Sequence, residues 1–407
     1  MELRPIVSSL RRHKTAAALI VAEVALSCAI ICNAVFLIHE RLARLNVPSG
    51  VAENELLDIR ISGIGKDANA AALTRQDLTS LRAIPGVTAV ATSVQVPFGN
   101  SSWNSSVTLQ PNQANASLNA SMYMGSQDLL ETLGTRIVAG RDFRPDEYQP
   151  FPADGGLGQL QIAAVIITRP MAEKLFPGKR AVGQHIYFGD DKAVTVVGVV
   201  DRLIRPYLSS SDPDGAYSMV LPILTPYDVG GQYLLRTAPD QRQRVLRDAV
   251  ATLQKNAANR LIEHPQPLEH MRTEFFRQDR AMVWLLLAVI VALLVVTALG
   301  IVGLASFWVQ QRTRQIGVRR ALGATRGQIL RYFQTENFLL ATLGIVLGMA
   351  LAYGINGLLM QHYELPRLPL WYLPIGALTL WALGQIAVLG PAWRAAAVPP
   401  AVATRSV

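Results

Sequence analysis

Half of the 407 residues are hydrophobic and only 16% are charged, against about 25% charged in an ordinary soluble domain, which excludes a purely soluble enzyme. The two cysteines, Cys28 and Cys32, share one apolar run, so no disulfide framework or cysteine zinc site exists outside it. The net charge of +9 is unevenly placed: residues 41–280 hold 25 Lys/Arg against 24 Asp/Glu, whereas 1–14, 310–337 and 391–407 together hold 12 Lys/Arg against Glu2 and Glu336. Basic residues confined to short segments beside apolar runs follow the positive-inside pattern of membrane proteins. A nucleic-acid binder would carry its basic residues with aromatics on a soluble domain, so no nucleic-acid partner is expected.

The first apolar run, Thr15 to Ile38, is longer than the 7–15 residues of a signal-peptide core and reads as an uncleaved anchor, with 1–14 cytoplasmic. Glu23 inside it is costly in lipid and is expected to face a neighbouring helix. Residues 41–280 follow as an extracytoplasmic region large enough for one domain or two smaller ones. Leu56 to Ser62 alternates like a strand. Thr74 to Ile84 reads as a helix with Thr74 as N-cap and Asp77 at the capping-box position, stopped by Pro85-Gly86 before a second strand, Val87 to Val96. A polar stretch, Gly99 to Asn119, leads to short strands from Met122 onward, among them Ile162 to Ile167, His185 to Phe188 and Val194 to Val200. A strand at Gln232 to Thr237 and a helix at Asp240 to Lys255 complete the region. The pattern predicts an α/β unit, about 52–115 and 215–275, split by a β-rich insert at about 116–214.

A second span is expected at 281–309, a third at 338–360 and a fourth at 370–389, the last carrying Pro374; each has the roughly 20 apolar residues a bilayer requires. The fold class is therefore a membrane protein of four transmembrane α-helices, with a large extracytoplasmic α+β domain between the first and second. Residues 310–337 form a cytoplasmic loop, 361–369 a short outer loop, and 390–407 a cytoplasmic tail. In the third span Gly344, Gly348 and Ala352 recur every four residues, the spacing of close helix packing, within the subunit or at a dimer seam.

Catalytic signatures are missing from the sequence. Gly178-Lys179-Arg180 is not a phosphate loop, no Gly-x-Ser-x-Gly elbow occurs, and His264 and His270 lack zinc-site spacing. Asp190-Asp191 and Asp212/Asp214 read as solvated turns. No catalytic, cofactor-binding or metal-ligating residues are expected.

The informative segment is 310–337. On a helix, Val318, Ala321, Leu322, Thr325 and Ile329 share one face; Arg312, Arg319, Arg320, Arg326 and Arg331 share the other, with Arg314 the exception. Gly317, Gly323 and Gly327 predict two short helices broken near Gly323. Such a segment either rests on anionic lipid or docks a cytoplasmic partner.

The run Arg312-Thr313-Arg314-Gln315-Ile316-Gly317-Val318-Arg319-Arg320-Ala321-Leu322-Gly323-Ala324 closely resembles the loop of MacB/FtsX-like permeases of ABC transporters. So do Gly140-Arg141-Asp142-Phe143, Ala172 to Gly178, Val196 to Val200, and Pro391-Ala392-Trp393-Arg394 followed by Pro400-Ala401. The resemblance implies a porter-like α/β part split by a β-rich part, a dimer with an identical or related permease chain, and docking of a nucleotide-binding subunit on Arg312, Arg314, Gln315, Ile316, Gly317, Val318, Arg319, Arg320, Ala321, Leu322 and Gly323. Ile316, Val318, Ala321 and Leu322 are expected to fill a groove on that ATPase, and Arg319 and Arg320 to meet acidic groups or lipid phosphate. Since 14 residues precede the first span, ATP and Mg are expected on a separate cytoplasmic ABC ATPase and no cofactor on this chain. The resemblance implies efflux with a periplasmic adaptor and outer-membrane channel, from the bacterial inner membrane. Mechanotransmission to a cell-wall hydrolase, or lipoprotein release, is the alternative within the family, and a four-span sensory receptor the alternative outside it.

Overall fold

The computed structural model describes residues 14–63, 67, 69–152, 160–188, 190–208, 215–257, 259–363 and 367–397. The segment 1–13, Asp212, Asp214, Glu364 and Pro400-Ala401 lie outside the described residues, as do the side chains of Asp190 and Asp191. In chain order the elements are α1 (Lys14–Leu45), β1 (Leu56–Gly63), α2 (Ala70–Arg82), β2 (Val87–Ser93), β3 (Asn104–Val107), β4 (Leu118–Met124) and α3 (Leu129–Leu133). Next come β5 (Ile137–Gly140), β6 (Gln149–Pro150), β7 (Ala164–Thr168), α4 (Arg169–Leu175), β8 (His185–Phe188), β9 (Asp190–Val200), β10 (Ser218–Leu221) and β11 (Ile223–Leu224). The chain ends with β12 (Gln232–Thr237), α5 (Arg242–Asn256), β13 (Arg260–Pro267), α6 (Leu268–Phe275), α7 (Arg277–Ala321), α8 (Arg326–Tyr363) and α9 (Tyr372–Ala397). Residues 46–278 form one unit, the interspan domain; the helices flanking it form the other.

Within the interspan domain, an antiparallel sheet of order β13-β1-β12-β2 comes from both ends of the domain's sequence. Strand alternation sends Leu57, Ile59 and Ile61 into a core with Leu81 of α2 and Val245, Ala249 and Leu253 of α5. The helix expected from Thr74 begins four residues earlier. Thr74 is an interior residue: its hydroxyl donates to the Ala70 carbonyl (2.7 Å) and accepts the Tyr227 N–H (2.8 Å). Asp77, three residues on, is no capping residue either. It is wholly buried and paired with Arg260 at 2.5 Å, and it accepts hydrogen bonds from the Tyr233 hydroxyl (2.7 Å) and Asn256 (2.9 Å). A helix position that looked like a cap by spacing is a buried acid anchored by the opposite end of the domain.

The second part of the domain is a curled sheet of order β3-β4-β10-β7-β9-β5, with β8 also on β9. Reciprocal backbone hydrogen bonds between Thr108 and Tyr187 (2.9 and 3.0 Å) join the segment after β3 to β8, so six strands close on themselves. Met122, Met124, Val165, Ile167, Val196 and Met219 fill the interior with Phe176 of the Ala172–Gly178 stretch. This part extends beyond the expected 116–214: Asn104–Val107 pairs with β4, and Ser218–Leu221 lies between β4 and β7. The polar Asn-Ser-Ser run hid the first of these because only Val107 of β3 is buried.

In the other unit, four helices among the described residues are long and apolar enough to cross a membrane: α1, α7, α8 and α9. Gly344 and Gly348 of α8 face α1. A Cβ at Gly348 would lie 2.5 Å from the Cys28 Cβ and 2.6 Å from the Ala25 carbonyl; one at Gly344 would lie 2.8 Å from the Val24 Cβ. One turn further, buried Ala352 offers its carbonyl to the Asn33 amide at 3.1 Å. The small-residue stripe thus packs inside the subunit and is no free seam. The half-buried Glu23 carboxylate lies against Gly300 of α7, where a side chain would collide with it.

The helices outrun the expected spans. The second continues to Ala321 and the third starts at Arg326, so the loop expected at 310–337 shrinks to Leu322–Thr325. Arginine and glutamine are good helix formers, and the basic run prolongs a helix already nucleated in the apolar segment. The fourth span likewise runs through Pro391 to Ala397.

Two outcomes follow from this packing. Gly348→Leu should lower the melting temperature of the detergent-purified chain by an overpacking cost of about 1–3 kcal/mol, whereas Gly354→Ala, which meets nothing within 4 Å, should not. In the interspan domain, burial pushes the Asp58 carboxyl up to about 7 against the opposing charge of Arg60. The unfolded carboxyl titrates at about 4, so this group's contribution to stability falls as pH rises from there toward 7. Asp58→Asn should flatten that part of the melting-temperature profile and raise the melting temperature at pH 8.

Candidate functional site

The basic segment becomes an elbow whose two sides are capped by different devices. On the α7 side Gly323 takes a left-handed φ of +97°. The Ala324 N–H reaches the Arg319 carbonyl (3.0 Å) and the Gly323 N–H the Arg320 carbonyl (3.2 Å). This is the paired bonding of a Schellman cap, which satisfies carbonyls the helix end leaves orphaned. On the α8 side the Thr325 hydroxyl accepts the Gln328 N–H (3.3 Å), while the Gln328 side chain accepts the Thr325 N–H (2.9 Å). That is a reciprocal capping box. Four residues therefore reverse the chain with both helix ends satisfied.

Below the elbow the hairpin is held by charge and packing. Arg312 of α7 donates to both carboxylate oxygens of Glu336 on α8 (3.2 and 2.9 Å), with side chains 12% and 2% exposed, and its guanidinium lies 5.7 Å from the Trp308 ring centroid. Ile316 packs with Ile329 and Phe333 of α8 and with Val388, Ala392 and Ala395 of α9. Arg320 donates to the Ala396 carbonyl at 2.9 Å, satisfying an end carbonyl of α9. Arg319 lies over the Tyr332 ring, 5.3 Å from its centroid.

These contacts divide the residues expected to dock a partner. Ile316 and Gly317 are buried within the bundle, so the expectation that Ile316 fills a partner's groove is corrected: it belongs to the hairpin core. Arg312 belongs to the buried ion pair, Arg320 to the α9 terminus, and Gly323 to the cap. Arg314, Gln315, Val318, Arg319, Ala321 and Leu322 remain at the surface. Val318 is 45% exposed and Leu322 83% exposed at the tip, an apolar stripe at i, i+3 and i+4 with Ala321. The sequence reading missed two participants. Thr325-x-x-Gln328 fits the capping-box pattern and could have been found by it. Glu336 could have been found as the one acid in a basic segment. Among the described residues, no group of three or more His, Cys, Asp or Glu side chains is placed to hold a metal.

A four-helix membrane unit with a capped basic elbow and a large split domain after its first span describes a class of permease. Residues 26–261 match the MacB-like periplasmic core domain, and residues 287–400 the FtsX-like permease C-terminal family. The chain belongs to the MacB/FtsX-like ABC transporter permease family. It is similar to the uncharacterized ABC transporter permease YknZ of Bacillus subtilis, 25% identical over 351 residues that cover 84% of this chain and 82% of that one. It is also similar to the macrolide export ATP-binding/permease protein MacB of Chromobacterium violaceum, 27% identical over 295 residues covering 70% of this chain and 43% of the relative. The MacB of Shewanella oneidensis is 28% identical over 326 residues, covering 75% and 45%. The chain thus spans less than half the length of these MacB relatives. Among solved structures, the periplasmic region of MacB from Actinobacillus actinomycetemcomitans aligns over 57% of this chain and 97% of its own, with 13% identity and a TM-score of 0.33. The extracellular domain of YknZ aligns over 51% and 100%, with 18% identity and a TM-score of 0.32.

Removing one member of the buried pair should be costly. Arg312→Ala takes away the guanidinium that holds both Glu336 oxygens and should destabilise the membrane unit by up to about 3–5 kcal/mol, measured as loss of thermal stability in detergent. Adding Glu336→Leu to Arg312→Ala should recover most of the loss.

Proposed function

We propose that this chain is the permease subunit of a MacB-like ABC transporter. A cytoplasmic ABC ATPase, carrying ATP and Mg, docks on the elbow, and its cycle is converted into motion of the interspan domain that drives efflux from the periplasm. The observation that carries the reading is Leu322: a leucine 83% exposed on a turn held from both sides by caps. Exposed leucines are ordinary singly, but this one continues the stripe of Val318 and Ala321. Burying the Val318 and Leu322 side chains in a partner's groove is worth roughly 1.5–3 kcal/mol each. Arg314, exposed beside them, supplies charge for acidic groups or lipid phosphate.

The topology fits this use. The basic segments beside the spans favour cytoplasmic termini and a cytoplasmic elbow, with residues 41–280 outside, in the inner membrane of a bacterium. Family membership supports a permease over a sensory receptor. A second permease chain, identical or related, completes the assembly; a periplasmic adaptor and an outer-membrane channel complete the efflux path.

Affinity purification of the tagged full-length chain from its native host tests the proposal. A co-purifying Walker-motif ATPase is expected, reduced to background by Leu322→Asp and weakened by Val318→Asp while the permease still elutes as a folded species. Recovery of an adaptor supports efflux; recovery of a cell-wall hydrolase or lipoprotein carrier in its place moves the reading to mechanotransmission. ATPase recovery unchanged by Leu322→Asp overturns the docking assignment, and a histidine kinase in place of any ATPase overturns the permease reading.

A further inference from the structure

The chain leaves the membrane unit after α1 and returns to it at α7, and on each side of the domain boundary an arginine ties the outgoing connection to the returning one. In the membrane unit, Arg41 in the last turns of α1 donates to Asp279 in the first turn of α7 at 2.6 Å, across 238 residues of sequence. Each charge also complements the dipole of its own helix, the cation near a C-terminus and the anion near an N-terminus. Asp279 is buried and the Arg41 side chain is about three-quarters covered, so the pair is shielded from the solvent that weakens surface ion pairs.

In the interspan domain, Arg272 of α6 does the equivalent. Its guanidinium donates to the Val47 carbonyl (2.8 Å) and to Glu53 (2.6 Å), 225 and 219 residues away. Glu53 in turn accepts the Ser49 hydroxyl. The rings of Phe98 and Phe276 lie 5.3 and 5.6 Å from the guanidinium carbon, and Phe98 is held at a φ of +63°, a conformation rare for a bulky residue and kept only where surroundings enforce it. A planar cation with two directed bonds and two aromatic walls has little freedom.

We propose that Arg41 and Arg272 are positioning residues that lash the two connections of the interspan domain together. Displacement of α7 from the elbow then passes into residues 46–278 instead of being absorbed as slack where the chain leaves and re-enters the membrane unit. The inference rests on the permease reading above. A purely stabilising role would lower the melting temperature without separating ATP hydrolysis from domain movement; a positioning role separates them.

The test uses the full-length chain with its co-purified ATPase in proteoliposomes, reading ATP hydrolysis and the change in hydrogen exchange of residues 46–278 on vanadate trapping. In the wild type, trapping should alter exchange in that region. Arg41→Glu, which sets two acids together, should shrink the change about fivefold or more while ATP hydrolysis and ATPase binding persist. Adding Asp279→Arg should restore it. Arg272→Ala should act like Arg41→Glu, and Arg41→Gln gives the same readout should the glutamate variant fail to fold. A wild-type-sized change in Arg41→Glu or Arg41→Gln overturns the proposal, as does a charge-swapped pair that binds ATPase yet stays uncoupled. A wild-type chain with bound ATPase but no nucleotide response overturns the permease reading, and the lashing with it.

Discussion

The close approach of α1 to α8 is the contact on which the membrane unit depends. Gly344 and Gly348 remove the side chains that would hold the two backbones apart, and within lipid it is packing of this kind, not water exclusion, that associates helices. Once the backbones are close, Asn33 can satisfy its amide on the carbonyls of Ala29 and Ala352, a polar group that would otherwise be expensive at that depth. α9 joins both: Gly376 lets Cys32 of α1 approach to where a Cβ would be 2.5 Å from its sulfur, and Trp381 of α9 stacks on Phe338 of α8 with ring centroids 5.7 Å apart. α8 thereby becomes the wall against which α1 and α9 rest, and it begins at the elbow. The helix that carries the capping box is the helix that organises the bundle.

This arrangement gives the elbow its mechanical character. An exposed apolar tip on a frayed loop would lose conformational entropy on docking, whereas Leu322 sits on a turn already fixed by two caps, so less is lost. The Arg312–Glu336 pair and the Ile316 cluster hold α7 against α8 beneath it, and Arg320 ties the turn to the end of α9. A push at the tip therefore acts on three helices together. Much of α7 carries exposed apolar side chains in the single chain, among them Trp284, Leu285, Val296 and Leu299.

Much of this was legible in the sequence, for physical reasons that differ by element. The four spans stood out because bilayer thickness demands long apolar runs, and β12 and β8 because their residues are strongly strand-forming and sharply bounded. The ends of the spans were not legible: hydropathy reports where lipid begins, while a helix stops only where a cap stops it, here at Gly323 and Thr325. Thr74 and Asp77 show the opposite error. Their spacing fits a cap, but the partners that redefine them, Tyr227 and Arg260, lie more than 150 residues away, and no local pattern reports such a pairing. Ile316 shows why helical periodicity misleads in a hairpin: it lies about 200° around the helix from Val318, on the side of Arg312 and Arg320, yet that is the side packed on α8 and α9. Only the structure shows which side is which: Ile316 faces the bundle, and Val318 and Leu322 face away from it.

The most direct test of the account is site-specific photocrosslinking from position 322 in native membranes, with Leu299 on the lipid-spanning stretch of α7 as the control position. The account predicts an adduct between position 322 and a Walker-motif ATPase, made from that position and not from 299. Adducts from 322 to lipid alone, or to a protein without nucleotide-binding motifs, would contradict it.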